Sequence, residues 1–293
     1  MPLARQSIRF TFLGCGFIGS SILRALLPSI KHAGSPISKV TIALNNEDVQ
    51  ERLRESFRGK LDPATFLSRQ NVKAVKDSDA VLLALPPENF HEVLSESGMR
   101  EALQRKTIIS ILARTTRDEI SNILQSHGNF QYSPNNKPRI IRAMPTMGAQ
   151  LKESATLISD IRSPAEQEAM ELATWIFSTI GKVFNVTDGY FDEATGMSAF
   201  TNAVTTVTVN AIARQAVSSG VPEDHAISIA SQCVRGTASL MLAGISPEKL
   251  QESLSAPGSI TGQAISSLQA STLPYTLQNV LSTALERASD HSK

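Results

Sequence analysis

Residues 8–19 read Ile-Arg-Phe-Thr-Phe-Leu-Gly-Cys-Gly-Phe-Ile-Gly, a strand-like run that passes directly into Gly14, Gly16 and Gly19. G-x-G-x-x-G carries a mechanism only where a strand ends and a helix begins. The first glycine permits a tight turn, the second lets backbone approach a pyrophosphate, and the third lets the helix pack closely on its strand. The helix start, Phe17 and Ile18 included, then faces the anion with unpaired N–H groups. A glycine turn without a ligand is the bland alternative. Cys15 reads as a small filler rather than a reactive thiol, because no His, Lys or Arg adjoins it in sequence.

The following residues continue the alternation. Val40–Leu44, Ala80–Leu85, Thr107–Leu112, Arg139–Ala143, Ala155–Ile158 and Lys182–Val186 read as strands, and Gly19–Ile30, Glu47–Phe57 and Pro164–Thr179 as helices. This order predicts a largely parallel sheet covered on both faces. Beyond about Asp188 the strand signals stop. Phe191–Ser219 is a long helical pattern closed by Gly220 and Pro222, and His225–Ala243 is the next, with Gly244 behind it. Ser246-Pro247-Glu248 opens another, with serine as N-cap and proline at the first helical position. Two more helices follow, divided near Pro274. The expected fold class is α/β: a Rossmann-type dinucleotide-binding domain over residues 1–188, then an all-helical domain over 189–293. A length of 293 residues accommodates both.

Charge and composition narrow the function classes. Lys plus Arg is 28 and Asp plus Glu is 27, a net charge of +1 that supplies no field for gathering nucleic acid or anionic membrane. The longest aliphatic run, Ala80–Leu85, is far short of the roughly 20 residues that cross a bilayer. The opening Met1–Phe10 has no secretory-leader pattern. Two cysteines, Cys15 and Cys233, make no disulfide framework, so a reducing, cytoplasmic location is expected. The five histidines are scattered, without metal-ligand spacing.

The tip of the second strand bears on the cofactor. An NAD site places Asp or Glu there to hold the ribose 2′-hydroxyl. This chain has Asn45-Asn46, neutral donors that suit a 2′-phosphate, so NADP(H) is preferred over NAD(H); Glu47 and Asp48 keep NAD open. Arg52 or Arg54 either reaches that phosphate or lies on a solvated helix face.

Alcohol dehydrogenases need a general acid or base at the reacting oxygen. Tyr132, Tyr190 and Tyr275 lack a lysine four residues on, and no lysine stands between Lys182 and Lys249, where β-hydroxyacid dehydrogenases carry theirs. A protonated imine needs no such group, because it is already electrophilic. Hydride transfer to C=N is the chemistry this inventory supports best.

Several blocks, in order over nearly the whole chain, resemble the pyrroline-5-carboxylate reductase family. They are Gly14–Gly19, Leu83–Glu88, Ser110–Ala113, Arg142–Pro145, Ile180–Val183 and Leu250–Thr261. The resemblance implies NAD(P)H-dependent reduction of a cyclic imine bearing a carboxylate, pyrroline-5-carboxylate to proline or a related imine. It implies that Gly14, Cys15, Gly16, Phe17, Ile18, Gly19, Asn45, Asn46, Ala84, Leu85, Pro86, Ala113 and Met144 bind cofactor. It also implies substrate contacts from Ser198, Asn202, Ser255, Gly258, Ser259 and Thr261, with Thr261 as the catalytic position. The helical part becomes a dimerisation and substrate domain. The resemblance further implies a homodimer or higher homo-oligomer with a shared site, completed by the Pro257–Thr261 turn of a second copy. Within the motifs, Thr146-Met147-Gly148 replaces the family's Asn-Thr-Pro, Phe200 and Asn202 stand where small residues are usual, and Ser259 replaces a glycine. These departures leave two alternatives: a different, bulkier imine of specialised metabolism, or a catalytically silent NADP-binding dimer.

Overall fold

The computed structural model describes residues 7–58, 64–125, 132, 133, 135–256 and 258–289. The chain divides into two compact units, Met1–Thr195 and Gly196–Lys293.

The first unit strings together β1 (Ile8–Leu13), α1 (Phe17–Ile30), β2 (Ile37–Leu44), α2 (Glu47–Ser56), β3 (Ala64–Ser68), α3 (Asn71–Lys76) and β4 (Ala80–Leu83). It continues through α4 (Phe90–Leu94), α5 (Met99–Leu103), β5 (Thr107–Ser110), α6 (Arg117–Gln125), β6 (Arg139–Met144), β7 (Ser154–Ser159), α7 (Gln167–Ser178) and β8 (Gly181–Val186). The strands form one eight-stranded sheet in the order β3-β2-β1-β4-β5-β6-β7-β8. Every neighbouring pair is parallel except β6–β7. The carboxyl ends of β1 through β6 therefore share one edge, and the strand order reverses between β1 and β4. Parallel α/β sheets bind ligands at that kind of edge and switch point.

Alternation along the strands supplies two cores. Phe10, Phe12, Ile42 and Leu82 join Ile22, Leu26, Ile176 and Phe177 on one face. Leu13, Val81 and Leu83 join Val93, Leu103, Ile108 and Ile120 on the other. Phe12, Ile42, Leu82 and Leu83 are wholly buried, each side chain contributing about 1.5–3 kcal/mol of transfer free energy.

The structure extends the sequence reading in one important place. β3 was not expected, because its residues are only partly buried and form no continuous apolar run. The strand beginning at Ala80 ends at Leu83, ahead of Pro86-Pro87, and that beginning at Thr107 ends at Ser110. α4 and α5, of five residues each, are too short to leave a periodic signal.

Three arginines, Arg117 and Arg142 buried and Arg162 exposed, brace the β7–β8 end of the sheet. Arg117, 3 % exposed, bonds Ser159 Oγ at 2.7 Å and pairs with Glu166 at 3.2 Å and Asp188 at 3.1 Å. Arg162 joins Asp118 to Asp188 at 2.6 and 3.0 Å. Arg142 pairs with Asp192 at 2.7 Å, its guanidinium 4.3 Å from the Phe191 ring centroid. These contacts fix the first turn of α8 (Phe191–Ser218), the helix that runs on into the second unit.

The second unit holds the rest of α8, then α9 (Glu223–Leu242), α10 (Pro247–Leu254), α11 (Ile260–Ala270) and α12 (Leu273–Ser289). α8 and α12 approach so closely at Gly196 that a Cβ there would lie 2.4 Å from the Leu285 side chain. Ser246 caps α10 as its sequence predicts, accepting from the Lys249 N–H at 3.3 Å. Among the described residues of this unit only Ala213, Ala226, Leu250 and Gly262 are buried.

Candidate active site

The sheet topology gathers the expected cofactor positions. Gly14–Gly19 follow β1, Asn45 and Asn46 follow β2, Ala84–Pro86 follow β4, Ala113 lies just beyond β5, and Met144 ends β6. All stand at the one carboxyl edge.

Within the glycine loop each glycine answers a different demand. Gly14 has φ +80°, donates its N–H to Ala43 O at 3.0 Å, and a Cβ there would meet Ala84 O at 2.6 Å. The fold itself requires it. At Gly19 a Cβ would stand 3.3 Å from the Ala84 Cβ, the close packing of helix on strand. Gly16 is otherwise: it is exposed, its φ of −73° suits any residue, and a Cβ would meet nothing within 4 Å. Nothing in the protein demands glycine there, so the bare backbone fits a ligand lying against it. Gly16 also begins α1, which has no side-chain cap and no acid in its first turn. An anion accepts hydrogen bonds from such a helix end and complements its dipole. Cys15 is 4 % exposed, and burial pushes its thiol up to about 12, which keeps it protonated and inert.

The asparagines at the β2 tip are oriented by their oxygens. Asn46 Oδ1 caps α2, accepting from Asp48 N–H at 2.9 Å and Val49 N–H at 3.2 Å. Asn45 Oδ1 accepts from Asn71 Nδ2 at 3.1 Å, and the same Nδ2 donates to Glu96 Oε1 at 2.6 Å. With both oxygens engaged, each asparagine keeps its –NH₂ as the remaining polar group. Sequence reasoning missed Asn71 and Glu96; they follow β3 and α4, elements without a clear pattern.

Substrate-side positions divide between elements of the second unit. Ser198 and Asn202 lie one turn apart on α8. Ser255, Gly258, Ser259 and Thr261 collect where α10 gives way to α11, and Pro257 lies outside the described residues. Ser255, Gly258, Gln263, Ser266 and Ser267 line a polar cavity of about 550 Å³ there. Gly258 has φ +76°, a conformation that favours glycine. Ser259 caps α11, its Oγ accepting from Gly262 N–H at 3.0 Å and donating to Leu254 O at 3.4 Å. Ser255 Oγ donates to Gln251 O at 2.7 Å. Thr261, in the first turn of α11, is exposed, and its hydroxyl has no partner among the described residues.

α8 and α9 also border an open groove of about 580 Å³, walled by Ile212, Val221, Ile229, Val234 and Met241 among others. Ile229 is 59 % exposed. Among the described residues no three His, Cys, Asp or Glu side chains form a metal-holding group, and no helix is long and apolar enough to cross a membrane.

Comparison with known proteins accords with this geometry. Residues 188–291 match the family model for pyrroline-5-carboxylate reductase dimerisation, and residues 9–114 match one described as NADP oxidoreductase, coenzyme F420-dependent. The chain is 31 % identical to the pyrroline-5-carboxylate reductase of Neurospora crassa over 288 residues, 89 % of this chain and 86 % of that protein. Among solved structures it resembles a pyrroline-5-carboxylate reductase from Coxiella burnetii, with a TM-score of 0.81 at 22 % identity, covering 98 % and 100 % of the two chains. A second is the Plasmodium falciparum pyrroline carboxylate reductase with NADP bound, with a TM-score of 0.76 at 18 % identity over 97 % of each chain. The chain belongs to the pyrroline-5-carboxylate reductase family.

Proposed function

We propose that this protein is a cytoplasmic reductase that converts pyrroline-5-carboxylate to proline with NADP(H) in preference to NAD(H). The observation that carries the reading is Gly16: an exposed, unstrained glycine with open space before it, at the uncapped start of a helix, in a chain of this family. Family membership and the departures in the motifs concern the same reaction type, and no feature of the described residues calls for a different substrate.

The residues divide the work as follows. The N–H groups of Phe17, Ile18 and Gly19 hold the pyrophosphate, with Ala84, Leu85, Pro86, Ala113 and Met144 flanking the dinucleotide along the sheet edge. The bound dinucleotide supplies a hydride to the ring carbon of C=N. Asn45 and Asn46 offer –NH₂ donors rather than carboxylates at the adenosine ribose, which supports the 2′-phosphorylated form. The start of α11 binds the substrate carboxylate through backbone N–H groups. Thr261 adds its hydroxyl, Gly258 supplies the left-handed turn, and Ser255 and Ser259 hold that turn by their own hydrogen bonds. Ser198 and Asn202 line the substrate side from α8. Protonation of the imine nitrogen makes the carbon electrophilic, so no side-chain acid of unusual strength is needed.

The helical unit assembles with a second copy, whose Gly258–Thr261 segment completes the site. Steady-state oxidation of NADPH with pyrroline-5-carboxylate tests the proposal. Proline is the expected product, and Thr261→Ala is expected to raise KM by about tenfold, the loss of one hydrogen bond to a charged group. Absence of proline, with NADPH bound, would rule the activity out.

A further inference from the structure

We propose that Arg69 is the residue that reads the 2′-phosphate of the dinucleotide. The inference rests on the NADP(H) reading above and names the side chain that enforces it.

Arg69 immediately follows β3, the strand that lies beside β2 in the sheet. Its backbone N–H donates to Leu44 O at 2.9 Å, which holds it against the β2 tip where Asn45 and Asn46 begin. Its φ is +49°, in the left-handed region. Its guanidinium is exposed and has no hydrogen-bond or ion-pair partner among the described residues. The preceding Ser68 adds a buried hydroxyl that is also without a hydrogen-bond partner.

The competing cations are otherwise engaged. Arg52 Nε donates to Asp48 O of its own helix at 3.3 Å, and the Arg54 guanidinium sits 5.1 Å from the Phe66 ring centroid. Glu47 and Asp48, in the first turn of α2, oppose an anion at that helix end, so a phosphate at the β2 tip needs a counter-charge from elsewhere. A guanidinium offers five N–H donors in a fork that matches phosphate oxygens. Arg69 supplies it from the neighbouring strand.

The test compares 2′,5′-ADP with 5′-AMP by calorimetry, using the full-length wild type, Arg69→Gln and Arg69→Asn. Asparagine adopts left-handed backbone readily, so the second variant preserves the turn. Wild type is expected to bind 2′,5′-ADP more tightly, and both variants to lose that gain by about ten- to a hundredfold while 5′-AMP affinity stays within about twofold. Arg69→Lys is expected to retain part of it. A gain that survives both neutral variants would overturn the role of Arg69 and leave the NADP(H) reading standing. An equal fall for both ligands would make Arg69 a support of the β2–β3 edge and also overturn the proposal. No gain in the wild type would overturn the cofactor preference itself, and this inference with it.

Discussion

The sheet unit and the helical unit treat apolar surface in opposite ways. Across the sheet, Phe10, Phe12, Leu82, Leu83, Ile109 and Ile141 are at most 1 % exposed, and both faces are covered by the unit's own helices. In the helical unit Val207 is 69 % exposed, Leu242 68 % and Ile260 88 %, and the groove between α8 and α9 stands open. Helices of 28 and 20 residues are thus formed without a core to match them. Helical stability in proteins comes mostly from packing an apolar face, so these faces call for an outside surface. The match to a dimerisation family over 188–291 says what kind. The sheet unit folds around its own interior; the helical unit leaves apolar faces open, in the region that matches a dimerisation family.

Substitutions in the two halves should therefore act differently. Phe12→Ala, at a wholly buried position, is expected to cost about 3–5 kcal/mol in chemical denaturation. Ile229→Asp in the helical groove is expected to shift sedimentation from oligomer to monomer and to make the unfolding midpoint independent of protein concentration. An unchanged sedimentation coefficient would break the comparison.

A smaller effect belongs to the ion pairs at the sheet's edge. The Arg162 guanidinium bonded to Asp118 holds that carboxyl below its usual range. The folded pKa is lowered, so the stabilisation is fully present above the ordinary carboxylate range and is lost as pH falls through the folded pKa that lies below it. Both side chains are partly exposed, which limits the effect to less than about 1 kcal/mol. Urea titrations at neutral pH and near pH 2 should show Asp118→Asn destabilised at the first and closer to wild type at the second.

Much of this architecture was legible in sequence because it is carried by strong, local signals. The buried strands announce themselves as apolar runs, and the glycine loop by its place between β1 and α1. Ser246-Pro247-Glu248 marked a helix start that the structure reproduces. β3 escaped because an edge strand with partly exposed residues has neither a full apolar run nor a clean alternation, and Arg69, Asn71 and Glu96 escaped with it. The hydrogen bonds that commit Ser259 to capping and orient Asn45 and Asn46 depend on three-dimensional placement, which residue type alone does not encode.

The glycine loop permits the most direct test of the account, because two of its glycines separate fold from ligand. Titration calorimetry of NADPH into wild type, Gly16→Asp and Gly14→Ala, with thermal unfolding of each, reads both at once. One dinucleotide per chain is expected for wild type. Gly16→Asp should abolish binding with its unfolding temperature unchanged, since its side chain enters open space and sets a carboxylate against the pyrophosphate. Gly14→Ala should lower the unfolding temperature. NADPH affinity that survives Gly16→Asp, or a wild type that takes up no dinucleotide, would contradict the claim that this loop holds the cofactor.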